Sequence, residues 1–123
     1  MSTIFQIEPE TREAYGKNYS FVPLNGCLDE KTLPHFSTTI EPLIENDHTY
    51  LVFDLKDLDL ISSHAVSYFK MIHQRLGAAK KQMVFVNTNE EILEILEFIG
   101  LVELIAVFDV EEKFLEAIKN EEI

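Results

Sequence analysis

The stretch Leu58-Asp-Leu-Ile-Ser-Ser-His-Ala-Val-Ser-Tyr-Phe69 places two adjacent hydroxyls, Ser62 and Ser63, where an alternating strand pattern gives way to a helical one. One chemistry for such a pair is capping. A serine oxygen accepts an orphan N–H of the first helical turn, and one serine suffices for that. The other is then free, at the positive end of a helix, where its own domain tolerates a phosphate. A phosphoryl group there adds a charge of about −1.5 to −2 and bulk to any docked surface. These residues leave both readings open, capping alone or capping plus a switch. Hydrolytic chemistry is a poor fit, because "ISSHA" lacks the glycines of a strained nucleophile elbow. His64 also follows Ser63 directly, a spacing that seldom sets imidazole against its neighbour's hydroxyl.

Other chemistries lack their residues. Gly16, Gly26, Gly77 and Gly100 are isolated, so neither a phosphate loop nor a dinucleotide fingerprint is present. The histidines His35, His48, His64 and His73 show no helical zinc spacing, and Cys27 is the only thiol. No metal and no cofactor are expected. His73 falls on an apolar helical face and reads as a packed, hydrogen-bonded residue.

Composition bounds the partners. Ten Lys and Arg stand against 22 Asp and Glu, a formal charge of −12. That field repels nucleic acid and anionic lipid, although much of it also serves solubility. A length of 123 residues, 46% of them hydrophobic, suits one domain (1–123) with one core. The lone cysteine precludes an internal disulfide. The N-terminus has no basic start or apolar run of a signal peptide, and no segment reaches the ~20 apolar residues of a membrane span. A cytoplasmic location follows as an expectation.

The elements that must position the serines read as follows. Thr3–Ile7 is a short strand ended by Pro9, and Tyr15–Asn18 is a hairpin turn. Tyr19–Gly26 is a strand whose Pro23 implies an edge or a bulge. The first helix follows Asp29 as N-cap, with Leu33, Phe36, Ile40 and Leu43 inward and Pro42 kinking or ending it. Thr49–Leu55 is nearly continuously apolar, the mark of a central strand buried on both faces. A helix from Ser62 to Leu76 buries Val66, Phe69, His73 and Leu76 and stops at Gly77. Gln82–Thr88 is another central strand. Thr88 with Glu91 forms a capping box for a helix closed by Gly100. The segment Leu104–Val110 supplies a last strand, and Asp109 with Glu112 caps a final helix. The helix before Gly100 is apolar on more than one side, so Phe98, Leu101 and Val102 are divided between core and a partner or dimer surface. Alternation of strand and helix predicts a small, mixed, mostly parallel α/β sheet, with about four helices mainly on one face.

Three motifs resemble those of the STAS domain, the family of sulfate transporters and anti-sigma factor antagonists. "NGCLD" (Asn25–Asp29) is similar to the family's Gly-x-Leu-Asp. "LVFDLKDLDLISSHA" is similar to its apolar strand, Asp-Leu, and Asp-Ser-(Ser/Ala)-Gly. "MVFVNTNEEILEILEFIGLVELI" is similar to its later strand and the helix ending at glycine. Counting from Asp54 sets Ser62 at the family's aspartate, Ser63 at its phosphoacceptor, His64 at the next serine or alanine, and Ala65 at its glycine. The resemblance implies a cytoplasmic bacterial regulator without enzymatic activity, monomeric or weakly dimeric. Its partner would be an anti-sigma factor and serine kinase of the histidine-kinase ATPase superfamily, with no nucleic acid or membrane involved. It implies phosphorylation at Ser63, with Ser62 second. It also implies a contact surface of Leu60, Ile61, Ser62, Ser63, His64 and Ala65, with Asn25 and Asp29. Ser62 and Ala65 depart from the family pattern. A non-phosphorylated interaction scaffold and a small-ligand-binding module are the alternatives.

Overall fold

A strand without a polar face must be covered on both sides, and the segment from Tyr50 to Leu55 is buried at every residue. The computed structural model, which describes residues 5–123, builds the chain around it. The elements run β1 (Gln6–Ile7), β2 (Glu10–Ala14), β3 (Lys17–Leu28), α1 (Leu33–Glu45), β4 (Tyr50–Ile61), α2 (Ser63–Ala78), β5 (Gln82–Val86), α3 (Glu90–Phe98), a 3₁₀ turn (Leu101–Glu103), β6 (Ala106–Phe108) and α4 (Glu111–Lys119). Strands β3, β4, β5 and β6 lie side by side and parallel. The far edge of β3 is lined by β2 and then β1, both antiparallel.

Alternate residues of β4 feed two cores. Leu51, Phe53 and Leu55 join Phe36, Ile40, Phe69, Ile72, Phe85, Ile92 and Leu96 beneath α1, α2 and α3. Phe36, Phe53, Phe69 and Phe85 interlock with ring centroids 5.3–6.0 Å apart, mostly edge to face. Tyr50 and Val52 point the other way, with Tyr19, Phe21, Val84 and Val86, and α4 covers them with Phe114 and Ile118. The fold is thus a mostly parallel α/β sheet with three helices on one face, as the alternation predicts, and α4 alone on the other.

Several boundaries differ from the sequence reading. Thr3 and Ile4 of the first expected strand lie outside the described residues. The hairpin turn is Tyr15–Gly16, but it joins β2, which the sequence reading missed because "ETREA" is polar. Pro23 marks a bulge rather than an edge. The β3–β4 register shifts between Pro23 and Asn25 and again between Gly26 and Cys27, and Gly26 takes a φ of 101° there. Pro42 does not end α1 early, since burial of Phe36, Ile40 and Ile44 holds the helix through to Glu45. Thr32 rather than Asp29 stands at the α1 cap position. The C-terminal signal of α2 is Lys80, not Gly77. Lys80 adopts φ 59°, Lys81 N donates to Leu76 O (2.8 Å) and Lys80 N donates to Gly77 O (3.1 Å), the double bond of a Schellman end. The inward residue one turn earlier is Ile72, and His73 is only half-buried, without a hydrogen bond among the described residues. Asn89, not Thr88, caps α3 through Oδ1, which accepts from Ile92 N at 2.9 Å. Val110 precedes α4 with no side-chain cap, and Asp109 instead pairs with Lys113 at 2.8 Å.

The two ends of the sheet are tied differently. Below, Lys81 Nζ donates to the carbonyls of Leu43, Ile44 and Asn46 (2.8–3.1 Å) and to Asn46 Oδ1. It closes the end of α1, which has no basic residue of its own in its last turn. Burial lowers the Lys81 pKa. Above, β5 stops at Val86, and Asn89 Nδ2 donates to Leu58 O at 2.9 Å, covering part of β4 that has no strand beyond it. On the α4 face, the Tyr19 hydroxyl donates to Glu111 Oε2 (2.9 Å), which also receives Arg12 Nη1 (2.7 Å). Burial, reinforced by Glu111, pushes the Tyr19 hydroxyl up to about 12.

Two outcomes follow. Lys81→Met removes the donor from four acceptors and lowers stability by about 1–3 kcal/mol in urea unfolding. Because the Tyr19 pKa is raised above its ordinary value of 10.0, the stability linked to its proton is in full force below pH 10. It is lost as pH climbs toward about 12. Tyr19→Phe therefore flattens the fall of the urea midpoint across that range, and an unchanged slope refutes the assignment.

Candidate functional site

The serines sit where two parallel strands end together. Leu28 of β3 pairs with Ile61 of β4, and Ser62 N donates to Leu28 O at 2.9 Å. The loop into α1 and the start of α2 are thereby fixed side by side. Asp29 Oδ1 accepts from Lys31 N (2.9 Å) and Thr32 N (3.1 Å), while Thr32 Oγ1 donates to Cys27 O (2.8 Å). These bonds shape the first loop as an Asx turn.

The hydroxyls divide their work. Ser62 has extended backbone (φ −82°, ψ 166°), and its Oγ accepts from Ala65 N at 3.2 Å, so it is the N-cap of α2. Ser63 occupies the first helical position. It is exposed, and its Oγ makes no hydrogen bond among the described residues. A nucleophile approaching a phosphoryl donor from here meets no packing barrier. A group added to Ser63 leaves the cap of α2 untouched.

The surroundings are mixed apolar and charged. His64 Nδ1 lies 3.1 Å from Glu30 Oε1, both side chains well exposed, and this contact bridges the two loops. Beside it runs a shallow groove of about 460 Å³ between α1 and α2, lined by Glu30, Leu33, Pro34, Ser37, His64 and Tyr68. One wall is held by the Tyr68 hydroxyl, which donates to Glu41 Oε2 (2.8 Å) and can accept from Ser37 Oγ (3.2 Å). Arg75 Nη1 grips both oxygens of Glu41 at 2.7–2.8 Å. Arg75 first, then Tyr68, hold the Glu41 carboxyl below the usual carboxylate range. Burial pushes the Tyr68 hydroxyl up. Leu60, 45% exposed, projects beside the cap.

Of the residues singled out in the sequence, Leu60, Ser62, Ser63, His64 and Asp29 gather at this end. Ile61 and Ala65 do not present side chains there; both are buried in the core under α2, because an inward β4 residue and the third residue of α2 must face the sheet. Asn25 is exposed but sits at the β3 bulge opposite Asp57 and Gln6. It has no hydrogen bond or ion pair to the serines among the described residues. The groove residues Leu33, Pro34, Ser37 and Tyr68 were missed. Leu33 was assigned to the core, and the polar–aromatic face of "SHAVSYF" that places Tyr68 one turn beyond His64 was the available signal. Among the described residues no group of three or more His, Cys, Asp or Glu could hold a metal ion, and no helix is long and apolar enough to cross a membrane.

Comparison with known proteins agrees with this architecture. The family model described as the STAS domain matches residues 8–114. The fold is similar to that of an anti-sigma factor antagonist from Mycobacterium paratuberculosis, with 18% identity, 93% of this chain and 95% of that chain covered, and a TM-score of 0.77. It is similar to the anti-sigma factor antagonist SpoIIAA in its unphosphorylated form, with 19% identity, 94% and 98% coverage, and a TM-score of 0.68. The Bacillus cell fate determinant SpoIIAA in its phosphorylated form gives 21% identity, 94% and 99% coverage, and 0.66. At such identities the likeness is one of fold. No curated protein matches the chain in sequence. With the family model spanning both serines, the Asn25–Asp29 segment and the first turn of α4, the chain belongs to the STAS domain family.

Proposed function

We propose that this chain is an anti-sigma factor antagonist-like regulator whose partner is an anti-sigma factor with serine kinase activity, of the histidine-kinase ATPase superfamily. The observation that carries this reading is the division between the serines. Ser62 caps α2, and Ser63 is left exposed and unbonded beside an apolar groove. The kinase docks across Leu60, the Ser62–His64 turn and the groove of Leu33, Pro34 and Tyr68. It transfers the γ-phosphoryl of ATP to Ser63 Oγ: the O–P bond to ADP breaks, a Ser63 O–P bond forms, and the hydroxyl proton leaves to a base of the kinase. The phosphoserine then carries about −1.5 to −2 charge within the interface. Glu30 and Asp29 stand in the loop opposite, so the added anion meets like charge on this chain. Repulsion and desolvation loosen the complex.

The scaffold reading draws on Ser62 and Ala65, which stand where the family pattern has aspartate and glycine. Ala65 is fully buried, so its methyl group bears on packing rather than contact. The missing carboxylate at Ser62 and the added imidazole of His64 are the differences a kinase would sense.

Incubation with the cognate kinase and ATP, followed by site-mapped mass spectrometry, is expected to place phosphate on Ser63. Ser63→Asp should weaken partner binding by roughly ten- to a hundredfold, with Ser63→Ala close to wild type. Phosphate only elsewhere, or unchanged affinity of Ser63→Asp, selects the scaffold. Leu60→Ser should weaken the same complex about tenfold while moving folding stability by less than about 0.5 kcal/mol. Equal affinity would remove Leu60 from the interface.

A further inference from the structure

From Gln82 to Glu112 the chain has eight acidic residues and neither lysine nor arginine. Within that stretch α3 buries Ile92 and Leu96 against the sheet, and Leu101 follows them into the core. The opposite side of α3 is different. Phe98 is 92% exposed, and Ile95 and Leu104 are also large exposed apolar residues. Ile95, Glu94 and Glu91 stand three, four and seven residues before Phe98, so they share its helical face. Glu91, Glu94, Glu97 and Glu103 are exposed and take part in no ion pair among the described residues, where every pair lies elsewhere. Packing does not account for Phe98, since a polar residue there would leave the buried side of α3 unchanged.

We propose that the face from Glu91 to Leu104 is a docking surface that receives a partner protein bearing an apolar socket ringed by lysine or arginine, with Phe98 as the inserted anchor. Shape and charge select this occupant together. A protruding aromatic needs a pocket on the other side, and aromatic anchors of this kind carry a disproportionate share of binding energy. The unpaired acids around it favour a cationic rim and speed the encounter. A second copy of the chain is disfavoured, because a two-fold contact would set Glu91 and Glu94 against the same acids on a chain that also carries −12. An anionic lipid surface is repelled for the same reason. The inference is independent of Ser63, which lies at the start of a different helix.

The test installs a photoreactive phenylalanine analogue at position 98 of the full chain in its native cell. Adducts are mapped, and the captured protein is titrated in purified form. The expected adduct falls in a peptide with Lys or Arg flanking apolar residues. Phe98→Ser should then weaken that complex at least about tenfold, the Glu91→Lys/Glu94→Lys pair should weaken it comparably, and wild-type affinity should fall as salt rises. Thermal unfolding of Phe98→Ser should coincide with wild type, as its exposure requires. No adduct, an adduct to another copy of this chain, a crosslinked surface without cations, or unaltered affinity of Phe98→Ser would each overturn the proposal.

Discussion

Burial of β4 on both faces is the constraint from which the remaining architecture follows. A strand that reads Tyr50-Leu-Val-Phe-Asp-Leu55 has no side to offer water, so one set of residues needs α1, α2 and α3 and the other needs α4. Parallel neighbours on either hand follow, because helices must cross over between strands to cover those faces. The strand then runs past the end of β5, and its last residues, with Leu58 and Ile61 inward across an irregular register with β3, deliver the chain to Ser62 at the rim. The position of the serines is therefore a by-product of core packing. Paired ends of β3 and β4, Asn89 holding the Leu58 carbonyl, and the Ser62 cap all serve the same placement.

Much of this was legible in the residues, and the failures have physical causes. Continuous apolar runs announced β4 and β5, and helical spacing announced α1 to α4, since burial writes directly into periodicity. β2 escaped because its partner contacts are backbone bonds that charged residues serve as well as apolar ones. The cap of α3 was displaced by one residue because Thr88 and Asn89 are both good caps. Only the tertiary position of the Leu58 carbonyl, which Asn89 also reaches, decides between them. Gly77 was read as a stop, yet the left-handed turn falls on Lys80, where Lys81 can then reach back to the end of α1. Local propensity was overruled by a contact distant in sequence.

The site shows the same division. That one serine caps and its neighbour is free could be argued from the positions of Ser62 and Ser63 at a strand–helix seam. The depth of Ala65 follows from its helical spacing to Phe69, Ile72 and Leu76, whereas strand alternation from Leu58 would turn Leu60 inward in place of Ile61. The groove between α1 and α2 could not be inferred, because it is a relation between two helices rather than a pattern in either. Charge is distributed unevenly around this frame. His64 bridges to Glu30 at the rim, whereas the α3 side is purely acidic, so the two surfaces would attract chemically different neighbours.

The sheet ends laterally in β6, three residues long, and in β1, two residues long, with β2 carrying Glu10, Arg12 and Glu13 beside it. Such margins, short or charged, give a stray extended chain a poor ladder to zip onto. Fibre growth through edge-to-edge pairing therefore finds little template on this sheet.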